Sequence, residues 1–187
     1  MSGETQLWLI RHAPVIGARG IIHDDPPADV SDGAALAALK ARLPATPAIF
    51  CSPARRARET AQALGLSFIE ERALREQDFG TWTGRTHDDL RRELGPAYDA
   101  FWRSPADNRP PGGESFADQV ARVASGLTAL PTGDVIVIAH AGTIRAVLAV
   151  ALNLKPEDAL RFVIDHLSLT RIDRLASGWR VVAVNGR

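Results

Sequence analysis

The chain has 187 residues, 45% of them hydrophobic and 24% charged, which predicts one soluble domain with a substantial core. Its 22 basic side chains balance its 22 acidic ones, so no overall field attracts nucleic acid or an anionic membrane, and we expect a small-molecule ligand. The single cysteine, Cys51, excludes an internal disulfide and a cysteine-based zinc site. No targeting or membrane-spanning pattern opens the sequence, which predicts a cytoplasmic location.

Strand and helix patterns alternate along the chain. In chain order, the patterns predict a strand at 7–10, a helix at 32–43, a strand at 48–50, a helix at 53–64, a strand at 66–69, a helix at 116–130, a strand at 135–139, a helix at 143–152 and a hairpin over 167–184. This alternation predicts an α/β fold. We expect a three-layer sandwich with a mostly parallel central sheet, helices on both faces and an antiparallel edge near the C-terminus.

Helix start signals and one unusual segment refine this organisation. Ser52 followed by Pro53 predicts the start of the second helix, and Ser115 with Asp118 predicts a capping box. Residues 80–113 differ from the rest, because they hold two tryptophans and four prolines. We predict that they form an excursion, a lid over the carboxyl edge of the sheet, within a single domain of residues 1–187.

A histidine follows each of the two strongest strand patterns. Arg11 and His12 come directly after the first strand, and His140 directly follows the strand at 135–139. The carboxyl ends of parallel strands meet at one edge of a sheet, where ligands bind. A lone histidine is more often structural, but two at equivalent places favour a functional site.

The chemistry around the two histidines favours an oxyanion over a metal ion. No third ligand stands at metal-binding spacing. Gly142 lets the backbone approach a ligand, and Thr143 is predicted to cap the helix whose free N–H groups point to this edge. Guanidinium groups suit a tetrahedral oxyanion and repel a metal ion; the chain places four nearby, Arg11, Arg55, Arg56 and Arg58. We therefore predict a phosphate site that holds no metal.

Five motifs in a fixed order extend this pattern over most of the chain. They are Leu-Ile-Arg-His at 9–12, the segment 51–61, the segment 74–80, Gly-Gly-Glu-Ser at 112–115, and the segment 139–145. Together they resemble the histidine phosphatase superfamily, which includes the cofactor-dependent phosphoglycerate mutases. The resemblance implies a phosphohistidine mechanism that needs no bound cofactor.

Site roles follow from that resemblance position by position. It implies that His12 is the nucleophile, that Arg11 and Arg56 hold the phosphoryl group, and that His140 is the second histidine of the pocket. Glu76 matches the proton donor to the leaving oxygen. Cationic clamps agree with this chemistry, because the transition state of phosphoryl transfer carries its charge on the equatorial oxygens.

Glu76 and the loops leave alternatives open. Asp78 is a second candidate for the acid, and Glu76 could instead be a surface carboxylate paired with Arg72 or Arg75. Candidates for the leaving-group pocket are His23, Trp82, Trp102 and Arg109, whose alternative is packing within the lid. No role is assigned to the two remaining histidines; a helix-capping position is expected for His87 and a structural hydrogen bond for His166.

Departures from the family pattern occur at Ala13, Pro14, Cys51, Ala139 and Ala141, and they affect the accessory phosphate contacts. Cys51 is expected to be a small buried filler at a strand end. The short chain resembles the compact phosphatase branch, and its Arg-His-Ala-Pro-Val and Pro-Pro-Gly-Gly-Glu-Ser segments resemble α-ribazole phosphatases. The predicted function is a phosphomonoesterase for a small metabolite; a phosphoglycerate mutase and a non-catalytic phosphate-binding module are the alternatives. A homodimer is compatible with the sequence.

Overall fold

A six-stranded sheet runs through the protein, whose computed structural model describes residues 4–17, 20–22 and 24–187. The spatial order of the strands is β3-β2-β4-β1-β5-β6. The first four of these are parallel, whereas β5 is antiparallel to both β1 and β6. In chain order the strands are β1 (Thr5–Arg11), β2 (Ala48–Cys51), β3 (Ile69–Glu70), β4 (Gly133–Ala139), β5 (Leu169–Leu175) and β6 (Gly178–Gly186). The predicted mostly parallel sheet with an antiparallel edge is confirmed.

Seven α-helices surround the sheet in the described part of the chain. They are α1 (Gly33–Lys40), α2 (Arg55–Ala63), α3 (His87–Leu94), α4 (Pro96–Arg103), α5 (Phe116–Thr128), α6 (Ala141–Leu152) and α7 (Pro156–Ala159). Two short 3-10 turns lie at Arg72–Leu74 and Gly80–Trp82. No helix within residues 4–17, 20–22 and 24–187 combines the length and apolarity needed to cross a bilayer.

Strand β4 explains why helices cover both faces of the sheet. Successive side chains of a strand point to opposite faces, and those of β4 are apolar in both directions. Val135 and Val137 pack with α5 and α6, while Ile136 and Ile138 pack with α1 and α2. A continuous apolar run of this kind is stable only where both faces are buried.

Two of the predicted helix starts differ from the structure. Helix α2 begins at Arg55 after an extended Ala54 that offers no side-chain cap. Ser52 instead belongs to the sheet edge, where its N–H donates to the Ile138 carbonyl and its hydroxyl hydrogen bonds to His140 Nε2. Helix α6 begins at Ala141, with His140 as its N-cap residue. Thr143 therefore lies inside the helix, and its hydroxyl is directed to the backbone carbonyls of Leu74 and Arg75. The capping box predicted at the start of α5 is confirmed.

The segment 80–113 packs around a small apolar cluster of its own. Trp82, Leu90, Tyr98 and Phe101 are buried there together with Ile22, and the rings of Trp82 and Phe101 lie 4.6 Å apart in an edge-to-face arrangement. This cluster is separate from the two clusters that sandwich the sheet. The excursion thus has its own packing, and its action as a lid remains a prediction.

Candidate active site

Strand pairing brings the two histidine-bearing strand ends of the sequence together. Arg11 pairs with Ala139 in the parallel β1–β4 register, so the residues that follow them, His12 and His140, emerge side by side. Their ring centroids are 5.1 Å apart. The His12 N–H donates to the Ala139 carbonyl at 3.0 Å, which extends the ladder by one residue and fixes the start of the loop.

His12 has one ring nitrogen committed to the backbone. Its Nδ1 lies 2.6 Å from the Ala13 carbonyl, and because a carbonyl only accepts, Nδ1 must carry the proton. The neutral ring therefore presents the Nε2 lone pair on its other side. The loop is anchored, since the Ala13 N–H donates to the Thr60 hydroxyl at 2.9 Å. His12 is 5% exposed and lines a cavity of about 630 Å³.

His140 lies deeper than His12. It is fully buried, and its Nε2 hydrogen bonds to the Ser52 hydroxyl at 2.8 Å. Its Nδ1 is buried without a partner among the described residues. The ring stands edge-on behind His12 instead of lining the cavity, so direct contact of His140 with phosphate stays a prediction.

Arg11 and Arg56 bring positive charge to the cavity wall beside His12, and Arg75 also lines the cavity. Arg11 ends β1 and donates to the Ile164 carbonyl at 2.6 Å, while its Nε is buried without a partner among the described residues. Arg56 lies in the first turn of α2, is 7% exposed, and donates to the Asp24 carbonyl at 3.3 Å. Both guanidinium groups face the same space as His12. Arg55 and Arg58 instead form exposed pairs with glutamates.

Glu76 lines the cavity and is held by amide groups. Its Oε1 accepts from the Gln77 N–H at 3.1 Å and from the Gln119 carboxamide at 3.1 Å, and its Oε2 accepts from the Gly142 N–H at 3.3 Å. Arg122 donates to the Glu76 carbonyl at 3.4 Å and so ties this segment to α5. Glu76 thus takes its partners from amides, and not from Arg72 or Arg75 as the alternative expected. The alternative acid, Asp78, is exposed on the cavity wall.

Gly142 lies against the Glu76 carboxyl group, whereas the sequence predicted that it contacts phosphate. A Cβ atom at this position would lie 2.1 Å from Glu76 Oε1, and the Gly142 N–H is already directed to that carboxyl group. The glycine therefore makes room for Glu76. A phosphate contact by Gly142 stays a prediction, and Glu76 would compete with the phosphate for the Gly142 N–H.

Residues proposed for the leaving-group pocket are only partly brought together. Trp102 lines the cavity with Phe79 and His87, whereas Trp82 is buried in the cluster of the excursion, as the packing alternative expected. Arg109 forms a bidentate pair with Asp118 outside the cavity lining. His23 lies outside the described residues.

The histidines without an assigned role have defined contacts. The capping position expected for His87 is wrong, because Thr86 is the N-cap of α3 and His87 is the first helical residue. The His87 Nδ1 hydrogen bonds to the Tyr98 hydroxyl at 2.6 Å. His166 donates from Nδ1 to the His12 carbonyl at 3.0 Å, and its ring centroid is 5.1 Å from that of His12. The expected structural hydrogen bond of His166 is confirmed, and both histidines also line the cavity.

Gln119 is the site residue that the sequence reading missed. It lies in α5 among buried apolar positions and is itself fully buried. A polar residue on the apolar stripe of a helix was the available signal, because burial of a carboxamide requires hydrogen-bond partners. Those partners come from segments far away in sequence, so the stripe alone does not identify them.

Burial and positive charge favour the neutral form of the two histidines at the sheet edge, because both lower the histidine pKa values. Burial lowers the pKa of His12 well below its usual 6.5, and His140 and the Arg56 charge lower it further. Burial also lowers the pKa of His140 well below 6.5, together with Arg56 and Arg11. An unprotonated imidazole is the form that can attack phosphorus. Burial raises the pKa of the Cys51 thiol to about 12, which agrees with its expected role as a filler.

These lowered pKa values predict a loss of stability in mild acid. The unfolded chain binds protons at His12 and His140 below pH 6.5, whereas the folded protein binds them only at lower pH. The free energy of unfolding should therefore fall by about 1.4 kcal/mol per pH unit for each histidine below pH 6.5. We expect urea titrations at pH 7.0 and 5.5 to show this loss, and a His140→Gln variant to lose less. Equal pH dependence in the two proteins would contradict the assignment.

The fold and this edge define an α/β protein with a histidine-bearing cationic pocket suited to a phosphoryl group. Residues 7–187 match the model of the histidine phosphatase superfamily (branch 1), and the chain belongs to that family. A 2,3-bisphosphoglycerate-dependent phosphoglycerate mutase of Azorhizobium caulinodans is 37% identical over 103 residues, which are 52% of this chain and 50% of the mutase. A bifunctional protein of Mycobacterium tuberculosis is 33% identical over 152 residues, 77% of this chain and 42% of that protein. The chain spans about half the length of these curated relatives.

Solved structures share the fold over nearly the whole chain. The α-ribazole phosphatase of Shigella flexneri superimposes with a TM-score of 0.85 at 23% identity, covering 97% of this chain and 96% of that one. A mycobacterial glucosyl-3-phosphoglycerate phosphatase gives a TM-score of 0.79 at 26% identity, covering 98% and 100%. At 23% identity, the similarity to the α-ribazole phosphatase concerns the fold alone. The glucosyl-3-phosphoglycerate phosphatase shares the fold at a slightly higher sequence identity.

Proposed function

We propose that the protein is a phosphomonoesterase that works through a phosphohistidine at His12. The observation that carries this proposal is the 2.6 Å bond from His12 Nδ1 to the Ala13 carbonyl. It leaves Nε2 unprotonated in a cavity that Arg11, Arg56 and Glu76 also line. A nucleophile, an anion clamp and a proton carrier thus surround one space, which is the set that ester hydrolysis requires.

The proposed reaction has two balanced steps. In the first, His12 Nε2 attacks phosphorus, the P–N bond forms as the P–O bond to the leaving group breaks, and Glu76 gives its proton to the leaving oxygen. In the second, water attacks phosphorus while Glu76 takes a proton from it, and the P–N bond breaks to free His12 and phosphate. Arg11 and Arg56 hold the equatorial oxygens in both steps, where their charge stabilises the transition state.

The outer part of the cavity supports a leaving group with an aromatic ring. Phe79 and Trp102 line it, with ring centroids 6.4 Å apart, and the His87 ring lies 5.7 Å from that of Trp102. Aromatic faces stack on planar ligand rings. Among the family's esters, α-ribazole 5'-phosphate fits this environment, and we take it as the first substrate to test.

Phosphoglycerate mutase activity is the second candidate, because the Azorhizobium caulinodans mutase is 37% identical over half of its length. The two functions differ in the fate of the phosphoryl group. A mutase returns it to a phosphoglycerate, whereas a phosphatase gives it to water. A non-catalytic phosphate-binding module has no use for the carboxyl group that Glu76 places in the cavity.

A phosphomonoester panel tests the proposal. It contains α-ribazole 5'-phosphate, 3-phosphoglycerate and several sugar phosphates, with free phosphate and kcat/KM measured for each, with and without 2,3-bisphosphoglycerate. We expect free phosphate from at least one ester without stimulation by the bisphosphate, and the highest kcat/KM for the aromatic ester. Efficient phosphoryl transfer to 3-phosphoglycerate would establish the mutase instead, and phosphate binding without turnover would establish the binding module.

A further inference from the structure

A buried carboxamide stands directly behind the proposed acid. Gln119 lies in α5 between the apolar residues Phe116 and Val123, and all three are buried. A glutamine side chain in such a place loses its hydration, so its position is favourable only where fixed partners replace water.

The partners of Gln119 include a carboxyl oxygen of the site. Its Nε2 donates to Glu76 Oε1 at 3.1 Å, and lies 3.3 Å from the Arg75 carbonyl and 3.5 Å from the Thr143 hydroxyl. Its Oε1 has no partner among the described residues, although it is buried. One end of the carboxamide is therefore satisfied by the carboxylate form of Glu76, and the other end is an unused acceptor.

Gly142 shows how closely these groups approach one another. A Cβ at Gly142 would lie 2.9 Å from Gln119 Oε1 and 3.1 Å from its Nε2, as well as 2.1 Å from Glu76 Oε1. The Oε1 and Nε2 atoms of Gln119 are thus nearly equidistant from the position that a Cβ of residue 142 would take. A half-turn about the Cγ–Cδ bond of Gln119 exchanges the two ends without displacing the helix.

We infer that Gln119 is a positioning residue that holds Glu76 in both of its protonation states. This inference rests on the proposed function, in which Glu76 alternates between acid and base. With Glu76 ionised, the amide of Gln119 donates to Oε1. With Glu76 protonated and the carboxamide turned, Gln119 Oε1 accepts a hydrogen bond from the carboxyl O–H, and the proton stays on Glu76 until the leaving oxygen takes it.

The groups around Glu76 make such an acceptor useful. Arg11, Arg56 and Arg145 lie near enough to interact with its charge, Arg122 donates to its backbone carbonyl, and a guanidinium group has no acceptor for a carboxyl proton. The N–H groups of Gln77 and Gly142 can only donate to the carboxyl oxygens, so they offer no acceptor for a carboxyl proton either. Among the carboxyl group's hydrogen-bond partners, Gln119 is the one with an acceptor for the acid form.

A comparison of leaving groups tests this role. Glycerol 2-phosphate releases an alkoxide that needs a proton, whereas p-nitrophenyl phosphate releases a stable phenolate that does not. Methionine has nearly the length of glutamine without its hydrogen-bonding groups. Q119M should therefore lower kcat/KM for the alkyl ester about tenfold, because the variant loses one hydrogen bond that positions Glu76. We expect a change of less than about twofold for the aryl ester. Q62M, at an exposed position of α2, is the matched control and should change neither.

Two further variants keep the outcome clear. E76Q should lower alkyl-ester turnover about a hundredfold and aryl-ester turnover far less, as expected for loss of a general acid. Q119E preserves the side-chain shape: at pH 8 its carboxylate should repel Glu76 and lower alkyl-ester turnover, and at pH 5.5 a shared proton should restore it.

Equal losses for the two esters in Q119M, or no loss, would overturn the role of Gln119. If E76Q itself shows no difference between the esters, the acid assigned in the proposed function fails. A difference in E76Q without one in Q119M or Q119E overturns the inference about Gln119 alone.

Discussion

Replacing His12 with alanine should lower kcat for phosphomonoester hydrolysis by at least about 10⁴-fold, because the variant has no nucleophile to accept the phosphoryl group. The other groups at the cavity would remain in place. Arg11, Arg56 and Glu76 are held by their own contacts with the Ile164 carbonyl, the Asp24 carbonyl and neighbouring amides. Any residual rate then measures what the anion clamp supplies by itself.

The same variant should lose the covalent intermediate. Rapid quenching of the native protein with a labelled phosphomonoester should give an acid-labile, base-stable label on His12, and H12A should give none. H87A is the matched control, because His87 lines the same cavity but binds the Tyr98 hydroxyl through its Nδ1. It should retain the label and lose less than about tenfold in kcat. Unimpaired hydrolysis by H12A, or a label that persists in it, would contradict the mechanism.

Replacing Arg56 with alanine should lower kcat/KM by about 10³-fold. Its guanidinium is buried beside His12, where a charge acts more strongly on the equatorial oxygens than it would in water. R55A is the matched control on the same helix: Arg55 is exposed and pairs with Glu59 at 2.7 Å, so we expect a change below about twofold. The kcat/KM of R56K should lie between those of R56A and R55A, because lysine keeps the positive charge but cannot form the two parallel hydrogen bonds of a guanidinium group.

The pH profile gives Arg56 a second, independent measurement. The Arg56 charge lowers the pKa of His12 and that of His140, so its removal should raise both toward the usual 6.5. His12 would then be protonated, and unable to attack, at a higher pH than in the native protein. The acidic limb of the kcat/KM profile should therefore move to higher pH in R56A and stay in place in R55A. A profile that keeps its acidic limb in R56A would contradict the electrostatic role of this arginine.

H12A and R56A are expected to keep the core intact, because neither His12 nor Arg56 belongs to the apolar clusters. Arg56 and His12 lie at the edge of the sheet, whereas the apolar contacts that stabilise the fold lie between the sheet faces and helices α1, α2, α5 and α6. Thermal melting of each variant should confirm that it is folded before its rate is compared.

Much of the fold could be predicted because its signals are local. The apolar run that forms β4 fits only a strand covered on both faces, and the Ser115 capping box fixes the start of α5 through contacts three residues apart. The edge position of His12 and His140 follows equally locally, since each stands where an apolar run stops. The helix starts predicted at 52–53 and at 143 are wrong, because the Ser52 hydroxyl bonds to His140 and the Thr143 hydroxyl to the Leu74 and Arg75 carbonyls, partners that lie far away along the chain.

The sequence by itself determined the α/β alternation, the two histidines at one sheet edge and the arginines near them. Hydrophobic periodicity and the ends of strands depend only on a few neighbouring residues. Only the tertiary structure decided that His140 is buried behind His12 and that Glu76 meets Gly142 and Gln119, which are 66 and 43 residues away along the chain. The physical reason is that contacts over such separations depend on how helices α5 and α6 pack on the sheet. Side-chain direction at a packed junction is set by all of its neighbours together, and no single segment carries that information.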